Sequence, residues 1–176
     1  MKRHKYFTLK ILTKAYLKKY IHSLYGKTVI FSTTNQFGTI MMALLDRPNI
    51  VRESKEKIKM KLDEYDIELQ IFCPIWFIKK NMYGFDISEH NVISLNKFIE
   101  QRFTEDLFKF CYVLNKCGIS LDDAIEEFCK CHDIEIDEDI TLDALKKKEY
   151  RYRKHLSDID AGISKNKITS IQPTFF

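Results

Sequence analysis

"FTLKILTKAYLKKY" (residues 7–20) has a counterpart sixty residues on, "IELQIFCPIWFIKK" (67–80). Leu9 aligns with Leu69, Ile11 with Ile71, Tyr16 with Trp76, Leu17 with Phe77 and Lys19 with Lys79. The first segment opens with alternation: Phe7, Leu9 and Ile11 on one side, Tyr6, Thr8 and Lys10 on the other. That is the period of a strand with one buried face. The period then changes to that of a helix, with Thr13 as cap, Ala15, Tyr16, Tyr20 and Leu24 at helical spacing, and Gly26 as stop.

The correspondence continues outward. "YG" at 25–26 recurs at 83–84, and "VIFSTTNQF" (29–37) recurs as "VISLNKF" (92–98), with Ser32 on Ser94 and Phe37 on Phe98. Pro74 suits the first turn of the second copy's helix, and Pro48 closes the first copy. The order is the same twice: strand, helix, Tyr-Gly, short extended piece, polar cap, helix. It predicts an internal duplication with copies at about 6–46 and 66–103. Between them, in the charged segment 47–65, Ile58, Met60 and Leu62 alternate with Lys57, Lys59 and Lys61. This segment reads either as a strand pairing with 67–72, with Lys61 beside Glu68, or as a linker helix.

The last third is helical. Thr104 caps "TEDLFKFCYVLNKCG" (104–118) and Gly118 stops it. Ser120 with Asp123 forms an approximate capping box. "DIEIDED" (133–139) is an acidic connector with Ile134 and Ile136 turned inward, and Thr141 opens a final helix. The expected fold is therefore α+β. Residues 1–103 hold the duplicated strand-helix-helix units around a small antiparallel sheet, 104–160 form a helical domain, and 161–176 are a tail.

Of the 176 residues, 45% are hydrophobic and 31% charged, as in globular proteins. No apolar run approaches a membrane span, and the basic N-terminus lacks the continuous apolar stretch of a signal peptide. With five cysteines, an odd number, this predicts a cytoplasmic protein with free thiols and no membrane partner. The net charge is only +4 but lies in blocks. Residues 1–27 carry eight Lys/Arg and no acid; 120–143 carry ten Asp/Glu and one Lys; 145–155 carry six Lys/Arg and one Glu. Two basic blocks point to a polyanion as partner.

The duplicated unit resembles the ribbon-helix-helix class of DNA-binding proteins, here with both copies in one chain as a pseudo-dimer. The resemblance implies a two-stranded ribbon entering the major groove. Thr8, Lys10, Glu68 and Gln70 would face the bases, with Lys and Gln as base-edge readers and Glu accepting from cytosine. Helix N-termini at Ser32–Thr34 and Ser94 would face phosphates. Residues 120–159 resemble a helix-turn-helix. Leu142, Leu145, Tyr152, Leu156 and Ile159 form the last helix's apolar stripe, interrupted by Glu149, while Lys147, Lys148, Arg151 and Lys154 lie opposite it. With Tyr150 and with Lys5 near the N-terminus, these cations would hold the DNA backbone. This basic helix after an acidic hinge is similar to regulators of bacterial phages and mobile elements. The acidic connector 133–139 is the rival partner for these cations: folded back, it would satisfy them internally.

The chain has no Gly-rich phosphate loop, no G-x-S-x-G and no H-E-x-x-H. Cys111, Cys117, Cys129, Cys131 and His132 lie close in sequence, but "CKCH" (129–132) is not zinc spacing. Cys129 and His132 share a helix face, with Cys117 a conceivable third ligand; ordinary core packing of small thiols explains the cluster better. Paired acids such as Glu126/Glu127 read as a solvated face, and Trp76 and Phe77 as core. The expectation is a non-catalytic protein without metal or cofactor that binds double-stranded DNA. The alternative is a module binding a host protein through the acidic surface 120–139.

Overall fold

The computed structural model describes residues 6–30, 32, 34, 36–45, 64–75 and 87–160. Its elements are β1 (Tyr6–Thr13), α1 (Ala15–Tyr25), β2 (Val29–Ile30), α2 (Gln36–Leu44), β3 (Ile67–Pro74), α3 (Glu89–Lys116), α4 (Leu121–Cys131) and α5 (Leu142–Asp160). The architecture is α+β and mostly helical. Among the described residues no helix is long and apolar enough to cross a membrane.

The alternation in the two matched segments gives two strands, and they pair with each other. β1 and β3 are antiparallel, with Leu9 opposite Ile71, Lys10 opposite Gln70 and Ile11 opposite Leu69. The pleat then turns Leu9, Ile11, Thr13, Leu69, Ile71 and Cys73 into the core together. β3 lies between β1 and β2, and β2 runs parallel to it with Val29 opposite Ile71. The extended run after Gly26 is thus a third strand. Lys10 pairs with Glu68 (3.2 Å); Lys61, expected beside Glu68, lies outside the described residues. Pro74 ends β3 opposite Tyr6, a strand-end position where its missing N–H is tolerated, and Ile75 directly after it is helical, so the proline stands at a helix start as Lys14 does before α1. Trp76, Phe77 and Ile78 lie outside the described residues, as do Lys5, residues 46–63 and the tail 161–176.

Thr13 does not cap α1. It is the last residue of β1, buried, and its hydroxyl donates to Asn96 Oδ1 at 2.6 Å. Asn96 in turn donates to the carbonyls of Leu12 (2.8 Å) and Val92 (3.0 Å), so this buried amide ties the end of the sheet to α3 with its polar atoms satisfied. α1 stops at Gly26 (φ 82°), whose N–H returns to the His22 carbonyl; a left-handed φ of this kind suits glycine.

α3 is one helix of 28 residues where the sequence suggested two, one starting at Ser94 and one at Thr104. Its cap is Ser88, which accepts from the Asn91 N–H at 3.4 Å. Ser94 and Thr104 sit in the helix interior and donate to the carbonyls four residues back, of His90 (3.0 Å) and Glu100 (2.8 Å). The apolar stripe explains the continuity: Val92, Leu95, Ile99, Phe103, Leu107 and Cys111 recur every three or four residues without a break. The 103/104 boundary expected from the sequence falls inside this helix. Phe103 meets Tyr16 (5.1 Å between centroids) and Tyr20 (5.3 Å) of α1 and Phe128 (5.5 Å) of α4 edge-on. A single core therefore runs from Leu9 to Leu145. Burying a ring of this size contributes about 2–3 kcal/mol.

α4 and α5 start as their caps predict. Ser120 Oγ accepts from the Asp123 N–H at 3.2 Å, and Thr141 Oγ1 from the Ala144 N–H at 3.3 Å. Ile134 is buried and Ile136 half-buried in the connector. Residues 132–141, between the helices, include two left-handed aspartates, Asp133 (φ 57°) and Asp137 (φ 70°). That stretch is longer than the three- or four-residue turn of a helix-turn-helix.

Candidate nucleic-acid interface

The side of the sheet away from the core carries the residues that alternation assigned to it. Thr8 and Lys10 of β1 and Glu68 and Gln70 of β3 share that face, with the exposed apolar side chains of Tyr6, Leu12 and Ile30 around them. The polar members are engaged with one another. Lys10 Nζ lies 3.2 Å from Glu68 Oε2, and Gln70 Nε2 donates to Glu68 Oε1 at 2.8 Å. The Gln70 hydrogen bond and then Lys10 hold the Glu68 carboxyl below the usual carboxylate range. Among the described residues this ribbon face has one cation and one anion and is electrically balanced. The phosphate-facing N-terminus expected at Ser94 does not exist there, because α3 already runs from Glu89. Ser32 Oγ accepts the Thr34 N–H (3.2 Å) in the turn before α2.

α5 presents a different arrangement. Leu145 is fully buried, Tyr152 lies 5.3 Å from Phe108 of α3, and Leu142 and Leu156 are half-buried, so the expected stripe forms. It fades at its end, where Ile159 is exposed. Glu149 lies within the stripe, 4% exposed, with no hydrogen bond to Oε2 among the described residues and Arg153 Nη2 at 3.4 Å. Burial raises its carboxyl, and Arg153 offsets part of that.

Lys148 departs from the expected basic side. It turns inward, pairs with Glu100 of α3 and lies 5.8 Å from the Tyr16 ring centroid. At 100° per residue it stands beside the stripe, and its long stem reaches across. Burial acts to raise Glu100, but the hydrogen bond and charge of Lys148 outweigh it and hold the carboxyl below its usual range. Lys146, on the other flank, reaches Asp122 of α4 at 2.8 Å. Lys147 is exposed, and its one ion pair among the described residues is with Asp143, one turn back, at 2.6 Å. Arg151 and Lys154 are exposed and have no ion pair among the described residues. Tyr150 is exposed beside them, with the Arg153 guanidinium 5.8 Å from its ring.

The acidic connector does not neutralise α5. It turns to α1: Lys19 Nζ meets Glu135 Oε1 at 2.8 Å and Asp139 Oδ2 at 2.7 Å. Hydrogen bonds to Asp139 and then Glu135 raise the lysine above its ordinary range. The N-terminal basic block thus spends Lys19 internally.

The structure also joins polar groups that no local motif announced. Tyr20 donates to Asp106 Oδ2 (2.6 Å), which Arg102 Nε approaches at 3.3 Å. Ser23 Oγ lies 2.5 Å from His132 Nδ1 and also donates to the Tyr20 carbonyl (2.7 Å). A hydroxyl has one proton; given to that carbonyl, it leaves Ser23 as acceptor from Nδ1–H, the reverse of what a serine nucleophile needs. Their partners are 86 and 109 residues away in sequence, which is why periodicity could not find them. All five cysteines are free, and burial pushes Cys73 and Cys129 up to about 11 and Cys111 to about 12. Such thiols are poor nucleophiles. Among the described residues no group of three or more His, Cys, Asp or Glu is placed to hold a metal ion. The chain matches no family model, no curated protein and no solved structure.

Proposed function

We propose that the protein binds double-stranded DNA without catalysis, as a cytoplasmic regulator or accessory factor of a phage or mobile element, and that α5 is its main contact. The observation that carries this is the outward side of α5, where among the described residues Arg151 and Lys154 have no acidic partner and Lys147 has only a neighbour on its own helix. Three such cations on one face can each displace a counterion from the duplex, and Arg151 can grip a phosphate with two N–H groups. Tyr150 adds a hydroxyl donor.

The ribbon is the secondary element. A sixty-residue offset carries Lys10 onto Gln70, and these two are paired across β1 and β3. That is the register a pseudo-two-fold between fused strand-helix-helix units requires, and it supports the duplication. The balanced charge of the ribbon gives it at most a modest share of the affinity.

The test is a mobility-shift titration with random duplex at 50 and 200 mM salt. With three phosphate contacts the affinity falls about 40-fold between the two. Absence of any shift at the lower salt overturns the reading. It would leave the exposed acids of α4, such as Glu126, as the surface for a basic protein partner.

A further inference from the structure

A cavity of about 320 Å³ opens between α1, α2 and α3. Volumes of this size and above are those of small-molecule sites, which combine apolar walls with a few convergent polar groups. Here Ile21 and Leu24 of α1, Phe37 of α2 and Ile99 of α3 supply the walls, and Tyr25 stacks on Phe37 at 5.4 Å between centroids. The polar end is the pair Arg102 and Asp106, one helical turn apart on α3.

That pair has capacity to spare. Asp106 Oδ2 takes the Tyr20 hydroxyl and Arg102 Nε, while Oδ1 has no hydrogen bond among the described residues. Among the described residues Arg102 Nη1 has no carboxylate nearer than Glu105, at 4.0 Å. A donor side chain and an acceptor side chain thus line the same apolar space as neighbours, and their charges cancel.

We infer that this cavity is a binding site for an uncharged planar ring carrying an adjacent hydrogen-bond acceptor and donor, as in a primary carboxamide or a lactam. The ring enters between Leu24 and Phe37; its carbonyl accepts from Arg102 and its N–H donates to Asp106. A carboxylate ligand would face Asp106, and an ammonium ligand would face Arg102, so either is disfavoured. The site does not depend on DNA binding, since α5 contributes no wall.

The test uses the full chain, labelled with ¹⁵N, and benzamide as probe, with benzoate and benzylammonium beside it. Benzamide shifts the amide resonances of Leu24, Phe37 and Arg102, with a dissociation constant on the order of 1 mM for so small a fragment. The two charged analogues bind about fivefold more weakly or worse. Leu24 is exposed at the rim, so Leu24→Trp keeps the circular-dichroism spectrum while its ring occupies the space and removes the benzamide shifts. Shifts absent at about 10 mM or scattered away from these residues, benzoate binding as tightly as benzamide, or undiminished binding by the folded Leu24→Trp chain would each overturn the inference.

Discussion

The outward face of the β1–β3 ribbon and the outward side of α5 both read as DNA-facing surfaces in the sequence, yet among the described residues only α5 keeps cations without an acidic partner. On the ribbon, cross-strand neighbours stand within reach of each other, and Lys10 meets Glu68. On α5, position around the helix decides. Lys146 and Lys148 flank the buried stripe and meet acids on α4 and α3, whereas Arg151 and Lys154 are exposed and have no ion pair among the described residues. A cation's freedom is set by where packing puts it, and the number of charges in a block is a poor guide.

The strongest way to break that contrast is to strip each surface in turn. Replacing Lys147, Arg151 and Lys154 together by Ala should remove most of the salt-dependent retention on duplex, so that the about 40-fold fall between 50 and 200 mM salt largely disappears if all three contact phosphates. Lys10→Ala should reduce that salt ratio by no more than about fourfold, one contact's worth. Equal losses from the two variants would erase the distinction between the surfaces.

Lys148 separates charge from contact within α5 itself. Its pair with Glu100 is largely withdrawn from water, at 21% and 27% side-chain exposure. Lys148→Ala strands that carboxylate and should cost about 1–3 kcal/mol in urea unfolding, with retention on DNA unchanged where the protein is folded. A loss of DNA binding as large as that of the triple variant would place Lys148 on the wrong side of the helix.

Glu149 gives a pH signature. Its folded carboxyl is raised by burial, with Arg153 only partly opposing, so the folded state holds the proton more tightly than the unfolded chain. Between the unfolded value and the raised folded value, stability falls as pH rises, and below both the penalty is absent. Glu149→Gln should flatten that limb and gain on the order of 1 kcal/mol at neutral pH. Denaturation midpoints measured across pH 4–8 check it; a variant with the same slope as the parent removes Glu149 as the cause.

Much of the sheet was legible because period-two alternation is local: Leu9, Ile11, Leu69 and Ile71 announce buried faces, and the sixty-residue correspondence anticipates which strands pair. The outward side of α5 was legible for the same reason, at helical period. The single long α3 was not. Ser94 and Thr104 have cap chemistry, and a hydroxyl that caps in one context bonds the carbonyl four back in another; the unbroken stripe through Ile99 and Phe103 was the better guide. Ion-pair partners were invisible for a different reason. Lys148 and Glu100 are 48 residues apart, and Lys19 and Glu135 are 116 apart, so only tertiary packing brings them together.

The smallest predicted effect tests whether the ribbon is weak by position or by its acid. Glu68 accepts from Gln70 at 2.8 Å and pairs with Lys10 at 3.2 Å. Glu68→Gln removes the negative charge, frees the lysine and leaves a side chain of nearly the same shape that still hydrogen-bonds. If the acid alone silences the ribbon, retention on random duplex should rise about two- to fourfold at 50 mM salt, and the salt dependence should steepen by just under one counterion. The gain should vanish when Lys10→Ala is added, because the lysine is the ribbon's one cation among the described residues. A variant indistinguishable from the parent would mean that the face never approaches the phosphates, and DNA contact would then belong to α5 alone.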